Sequence, residues 1–230
     1  HHPSSAASDV YKRQVLDTLH KCFGYTNFRP QQEEIVEHIL SGKDILVLMP
    51  TGAGKSICYQ LPALCYPGVT IVISPLISLM FDQVKDLADR GIIAHRYDST
   101  NTTPLSTIVN EIREGSCNLL YTTPESMTSN TSLMMELESL HSEDMLKRFI
   151  IDEAHCVSNW GHDFRPAYLE LHMKHWFPGV QICAFTATAT TIVANDIINN
   201  LSLENPVTIR SSFIKDNINY SFKYIRLNSN

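Results

Sequence analysis

The sequence predicts an α/β domain in which a parallel β-sheet is sandwiched between α-helices. Three observations lead there. Short apolar runs bounded by turn residues alternate with segments of helical period, the pattern of strand–helix crossovers. A Gly-rich turn at 51–54 lies between one such run and a helical stretch. A later apolar run ends in two adjacent carboxylates, Asp152 and Glu153.

Taken in order, Pro30 suits the first position of a helix over 30–40, because its fixed φ and missing N–H cost nothing there. Ile35, Val36, Ile39 and Leu40 share one face of that helix, and Ser41-Gly42 stops it. Residues 45–49 form a continuous apolar run, too short for a helix and bounded by turn residues, so they predict a buried strand. A helix is expected from Gly54, with Pro62 kinking or ending it. Residues 69–74 are strand-like. Over 76–90, Leu76, Met80, Val84 and Leu87 recur at helical spacing, and Gly91 caps the segment. Strands follow at 118–122, 149–151 and 182–185. A last helix, 191–201, carries Val193, Ile197 and Leu201 on one stripe.

The composition is that of a globular protein. Of 230 residues, 43% are hydrophobic and 18% charged, which excludes disorder, collagen and coiled coil. The length suits one full α/β domain. No apolar run is long enough for a membrane span, so no membrane partner is expected. The net charge of −6 argues against a uniformly basic nucleic-acid binder without excluding a local basic stripe. Six cysteines, none in a C-x-x-C pair, predict buried free thiols in a reducing compartment, hence an intracellular protein. Residues 1–13 lack a signal-peptide core and are expected to be an unstructured tail or a remnant foreign to the fold.

Two motifs carry chemistry. The first is Thr51-Gly52-Ala53-Gly54-Lys55-Ser56, after a strand and before a helix. A polyphosphate needs many N–H donors and no intruding side chains. Gly52 and Gly54 let the backbone approach, and the helix N-terminus adds its positive end. Lys55 can reach the β- and γ-phosphates and Ser56 can ligate Mg²⁺. The first Gly of the usual P-loop pattern falls instead on Met49. The second motif is Asp152-Glu153-Ala154-His155 at a strand end. Asp152 is placed to hold the metal and Glu153 to orient or deprotonate the attacking water. Open α/β sheets bind ligands at strand carboxyl ends, so both motifs should converge on one crevice. Together they predict a P-loop nucleotide hydrolase using ATP and Mg²⁺.

Further segments occur in a fixed order: FGYTNFRPQQ at 23–32, MPTGAGKSICYQLPAL at 49–64, SPLISLMFDQV at 74–84, YTTPE at 121–125, DEAHCVSNWGHDFRPAY at 152–168 and FTATAT at 185–190. Over about 16–219 the chain resembles the first RecA-like lobe of RecQ-family DNA helicases. The run from DEAH into SNWGHDFRPAY is the most specific part. That resemblance implies that Gln32 contacts the adenine, supported by Phe28 and Arg29. It implies catalytic parts for Lys55, Asp152, Glu153 and His155, the last bonding across to 186–188. It implies a DNA path over Ser74, Thr123, Trp160, His162, Phe164 and Arg165, with stacking of bases on the aromatic rings supplying affinity. Asn159 stands where the family commonly has Gln, and Lys215-Asp216 where it has Arg-Pro.

The implied activity is 3′→5′ ATP-dependent unwinding of single-stranded and partially duplex DNA. In that family hydrolysis needs an arginine finger from a second RecA-like lobe, and no such segment follows residue 219. The expected organisation is therefore an ATP-binding domain over 14–211 and a connector over 212–230 toward that second lobe. Such a chain is expected to be a monomer, to bind ATP–Mg²⁺ weakly and to unwind nothing by itself. Two alternatives stay open: a degenerate, regulatory nucleotide-binding module, against which the presence of Lys55, Ser56, Asp152 and Glu153 speaks, and an RNA helicase lobe, against which the aromatic loop speaks.

Overall fold

The computed structural model describes residues 5–160, 163–187 and 189–211, with side chains from residue 12 onward. Its strands are β1 (Ile45–Leu48), β2 (Val69–Ile73), β3 (Ala94–Tyr97), β4 (Leu119–Thr122), β5 (Leu146–Ile151), β6 (Gln181–Thr186) and β7 (Val207–Arg210). They form one sheet in the order β3-β4-β2-β5-β6-β1-β7. Every neighbouring pair is parallel. The helices are α1 (Ser5–Thr18), α2 (Gln32–Leu40), α3 (Lys55–Cys65), α4 (Ile77–Asp89), α5 (Leu105–Arg113), α6 (Pro124–Ser129), α7 (Thr131–Ser142), α8 (Pro166–Leu169), α9 (Met173–Trp176) and α10 (Thr191–Asn200).

The twofold period of the strands divides the interior into two cores, one on each face. Along β1, Leu46 and Leu48 enter one core, with Ile71 and Ile73 of β2 and Phe149 and Ile151 of β5, under α5, α7 and α10. Ile45 and Val47 enter the other, with Val72, Ile150 and Phe185, under α2, α3 and α4. Both side-chain rows are apolar because both faces are covered, which is why the central strands show as unbroken apolar runs.

The two edge strands, β3 and β7, escape such a reading. Their sequences, Ala94-His95-Arg96-Tyr97 and Val207-Thr208-Ile209-Arg210, are half polar because one flank meets solvent. Strand β5 starts earlier than its apolar run, at Leu146. Its polar opening is tolerated because Arg148 Nε donates to Gln181 Oε1 at 3.1 Å on the neighbouring strand.

Three expected boundaries are corrected. Helix α2 starts at Gln32, not Pro30, because Gln31 sits at φ 68 in the left-handed region. Helix α3 runs through Pro62 to Cys65, so of the two outcomes expected at Pro62, a kink or an end, the end does not occur. The segment expected to be an unstructured tail is helical from Ser5, and α1 is held where Val15 and, just beyond it, Leu19 enter the second core. A Lys12–Glu37 ion pair at 2.8 Å joins α1 to α2. The connector over 212–230 lies outside the described residues. All six cysteines are free thiols, and burial pushes Cys58 and Cys183 up to about 12.

At the amino ends of the strands, Asp44 ties three elements together. Its Oδ1 accepts from Ile182 N–H at 2.8 Å and its Oδ2 from Glu204 N–H at 2.8 Å. Lys174 Nζ lies 2.9 Å from Oδ2, and the carboxylate is almost fully buried. Replacing one member of a buried, hydrogen-bonded ion pair leaves the other uncompensated. Asp44→Ala is therefore expected to lower unfolding free energy by about 3 kcal/mol, read as an earlier midpoint in urea titration, with the nucleotide site unaltered.

Candidate nucleotide and DNA site

Strand β1 delivers the phosphate loop. Met49 N–H donates to Thr186 O at 3.0 Å, and Ala53 N–H closes a turn onto Pro50 O at 3.2 Å. Gly52 and Gly54 take φ of 80 and 90, conformations that L side chains rarely adopt. At Gly54 a Cβ would also fall on the Gln32 amide nitrogen, so a side chain there would strain the backbone and displace the Gln32 carboxamide. Gly54 caps α3, whose first residue is Lys55 and whose N-terminal amides favour anions. Lys55 Nζ is buried and has no hydrogen-bond acceptor. A buried ammonium without acceptors is costly unless an anion is bound, and this is the observation by which the residues present fit a polyphosphate. Thr51 is exposed beside it, and Ser56 is half-buried on the first turn of α3.

Strand β5 delivers the acids. Asp152 N–H donates to Ile73 O at 2.9 Å, so the sheet holds the backbone one residue beyond the strand. Glu153 then sits at φ 49, ψ 44, a left-handed conformation costing a non-glycine residue of order 1 kcal/mol. Its Oε1 lies 3.9 Å from Lys55 Nζ and its Oε2 lies 3.3 Å from His155 Nδ1. His155 Nδ1 is in turn hydrogen-bonded to Thr186 Oγ1 at 3.0 Å. A polar chain therefore runs from the phosphate loop across the acids to the end of β6, the strand lying between β1 and β5. Two motifs about a hundred residues apart in sequence meet in one crevice, as expected. Burial and the neighbouring Glu153 carboxylate raise the Asp152 pKa to about 6, against the opposing pull of Lys55. Tyr168 was not singled out from sequence, yet its buried hydroxyl donates to Asp152 O at 2.9 Å and steadies the acidic turn. Its place as the last residue of the run at 152–168 was the signal for it.

The residues expected around the adenine adopt a different arrangement. Arg29 N–H donates to Gln32 Oε1 at 2.8 Å, and Gln32 Nε2 donates to Gly54 O at 3.1 Å. Both ends of the Gln32 amide are thus bonded to the chain itself, and the residue is 2% exposed. Arg29 donates to Gly52 O at 3.1 Å, while Phe28 packs against the second core. In this arrangement Gln32 and Arg29 brace the phosphate loop.

The residues expected along a DNA strand fall into two groups. Ser74 is 2% exposed and its hydroxyl is buried, so it does not present itself at the surface. Thr123 is also buried, its Oγ1 accepting from Ser126 N–H at 3.1 Å as the N-cap of α6. By contrast Trp160 is 78% exposed and Phe164 37%. Arg165 donates to Pro75 O at 2.8 Å, linking the aromatic segment to the end of β2. Beside it lies a cavity of about 430 Å³ lined by Pro75, Asp98, Thr123, Glu125 and Arg165 among others. His162 and Thr188 lie outside the described residues.

A parallel sheet whose phosphate loop faces an Asp-Glu strand end defines a RecA-like P-loop domain. Residues 29–197 match the model of the DEAD/DEAH box helicase family, and the chain belongs to that family. It is 46% identical over 212 residues to the ATP-dependent DNA helicase RecQ of Pasteurella multocida, covering 91% of this chain and 33% of that protein. It is 46% identical to the ATP-dependent helicase SGS1 of Saccharomyces cerevisiae, covering 90% of this chain and 15% of that protein. It is 44% identical to the RecQ-like DNA helicase BLM of Xenopus laevis, covering 91% of this chain and 16% of that protein. The chain thus spans a third or less of these relatives. Among solved structures, the DUF1998 helicase MrfA bound to DNA and AMPPNP shares the fold at a TM-score of 0.64 and 19% identity, covering 86% of this chain and 29% of that one. Among the described residues no helix is long and apolar enough to cross a membrane.

Proposed function

We propose that this chain is the ATP-binding lobe of a RecQ-type, ATP-dependent 3′→5′ DNA helicase. The observation that carries the ATP site is the buried Lys55 ammonium, without a hydrogen-bond acceptor and 3.9 Å from Glu153. ATP would lie along the amides of 52–55, with Ser56 and Asp152 holding Mg²⁺. Held there, Mg²⁺ would supply neutralisation of the phosphate charge. Glu153, the acid turned toward Lys55, would orient or deprotonate the water. His155 would report the state of the site to Thr186. A second RecA-like lobe would complete the site, and unwinding belongs to that assembly. Free thiols suit a reducing compartment, nuclear in a eukaryote or cytoplasmic in a bacterium.

Single-stranded DNA would cross the carboxyl ends of the strands and stack on Trp160 and Phe164. A fluorescent ATP analogue and a labelled oligothymidylate, each titrated onto the chain with Mg²⁺ at low salt, test both halves of this reading. Trp160→Ala is expected to weaken oligonucleotide binding by roughly 5- to 150-fold, the range of one stacked base. Its thermal midpoint should stay unchanged because the indole is 78% exposed. Equal binding by this variant and the wild type would remove Trp160 from the DNA path.

A further inference from the structure

The aromatic segment begins at Ser158, whose side chain is fully buried. Its hydroxyl donates to Asp196 Oδ2 at 2.6 Å and accepts from Trp160 N–H at 3.2 Å. Asp196 lies on the second turn of α10, the helix that starts five residues after Thr186. Two further bonds run alongside. His155 meets Thr186 at 3.0 Å, and Asn200 Nδ2 donates to Val157 O at 3.5 Å. Three rungs thus connect residues 155–158 with 186–200. One end of that ladder is the His155–Glu153 contact beside Lys55, and the other is the backbone of Trp160.

The far end of the aromatic segment is fixed separately. Arg165 N–H donates to Cys156 O at 3.0 Å, and the Arg165 side chain reaches Pro75 O. The Arg165–Cys156 bond closes the segment into a loop but leaves its leading residue, Trp160, anchored through Ser158. A hydroxyl that accepts from one backbone N–H while donating to a carboxylate fixes two directions at once. A buried hydroxyl in that position is a pivot whose orientation follows the helix that carries the carboxylate.

We propose that Ser158 and Asp196 form a positioning strut that sets the Trp160 backbone for DNA stacking and ties that setting to α10. Neither residue touches nucleotide or DNA. The strut rests on the helicase reading above and adds to it the part that transmits. A shift of Thr186, driven through His155, moves α10 and with it the Asp196 carboxylate. Ser158 follows, and Trp160 changes its presentation to the strand.

The test uses the full chain in a Trp176→Phe background, so that Trp160 is the single tryptophan reporter. Three quantities are measured at a temperature where every variant is folded: Trp160 anisotropy, affinity for labelled oligothymidylate and affinity for a fluorescent ATP analogue. Ser158→Ala and Asp196→Ala are each expected to lower Trp160 anisotropy and to weaken oligonucleotide binding roughly tenfold, with ATP-analogue affinity unchanged. Asp196→Asn retains an acceptor oxygen and is expected to bind DNA like the wild type. The double alanine variant should be no weaker than either single variant, because the two act as one bond. A lower thermal midpoint with unchanged anisotropy and unchanged oligonucleotide affinity overturns the strut and makes the bond a stabilising contact only. Additive losses in the double variant overturn it as well. A wild-type chain that fails to bind the oligonucleotide removes the DNA path over Trp160 from this lobe, and the strut with it.

Discussion

Lys55→Ala is expected to reduce affinity for a fluorescent ATP analogue by roughly 10- to 100-fold, the loss of one or two charge-assisted hydrogen bonds to phosphate. The side chain of Lys55 is buried beside Glu153, with no acceptor for its ammonium, so its removal deprives the chain of a phosphate ligand and breaks no internal hydrogen bond. Unfolding should therefore change much less than binding. A second consequence concerns protons. Lys55 is the cation that lowers the Asp152 pKa against burial and against Glu153. Without it, Asp152 holds its proton to higher pH, and any remaining Mg²⁺-dependent binding should switch on above the pH at which the wild type does. Unchanged affinity in this variant would show that the triphosphate does not sit on the 52–55 amides.

Asp152→Asn is expected to abolish Mg²⁺-dependent nucleotide binding while making the folded chain more stable near neutral pH. The carboxyl has an ordinary value of 3.8 and is raised to about 6 in the folded chain, by burial first and by Glu153 second. Below about 4 it is protonated in both states and the folded form bears no buried charge there. As pH rises through about 6, the folded chain must ionise a desolvated carboxyl, and that stability is lost, about 3 kcal/mol for a shift of this size. The amide removes the ionisation. The variant's advantage should therefore be greatest above about pH 7 and vanish toward pH 4. At roughly 2–4 °C per kcal/mol for a domain of this length, the midpoint should rise by up to about 10 °C in a thermal melt at pH 7.5. An advantage independent of pH would show that Asp152 ionisation is not the source. The same linkage lowers Mg²⁺ affinity as pH falls through about 6, because the metal needs the ionised form.

The acid site thus keeps a conformational and an electrostatic cost in one turn, with Glu153 in the left-handed region and Asp152 desolvated. Both costs fall on residues that would face the metal and the water. Each is consistent with a site whose charges are balanced when phosphate and metal arrive.

The central strands were legible because both their faces are buried, so β1, β2 and β4 stand out as apolar runs between turn residues. The phosphate loop and the acid turn were legible because glycine, lysine and paired carboxylates are needed at those positions by local chemistry, φ above zero at Gly52 and Gly54 included. Edge strands β3 and β7 were not, because a strand with one solvated flank mixes polar and apolar residues. Helix α1 was hidden by a polar opening. Its anchor, Val15, gains meaning only from the surface of α3 against which it rests, where Gln14 also donates to Cys65 O at 3.4 Å.

By itself, then, the order of residues determined the parallel α/β architecture, the phosphate loop and the pairing of Lys55 with Asp152 and Glu153 in one crevice. Periodicity and local backbone demands are properties of neighbouring residues, and they survive in the linear chain. The tertiary structure decided that Gln32 braces Gly54, that Ser74 and Thr123 are buried while Trp160 is exposed, and that Ser158 meets Asp196. Those outcomes depend on which distant groups approach within hydrogen-bonding distance, and burial and partner choice are set only once the sheet has brought its strand ends together.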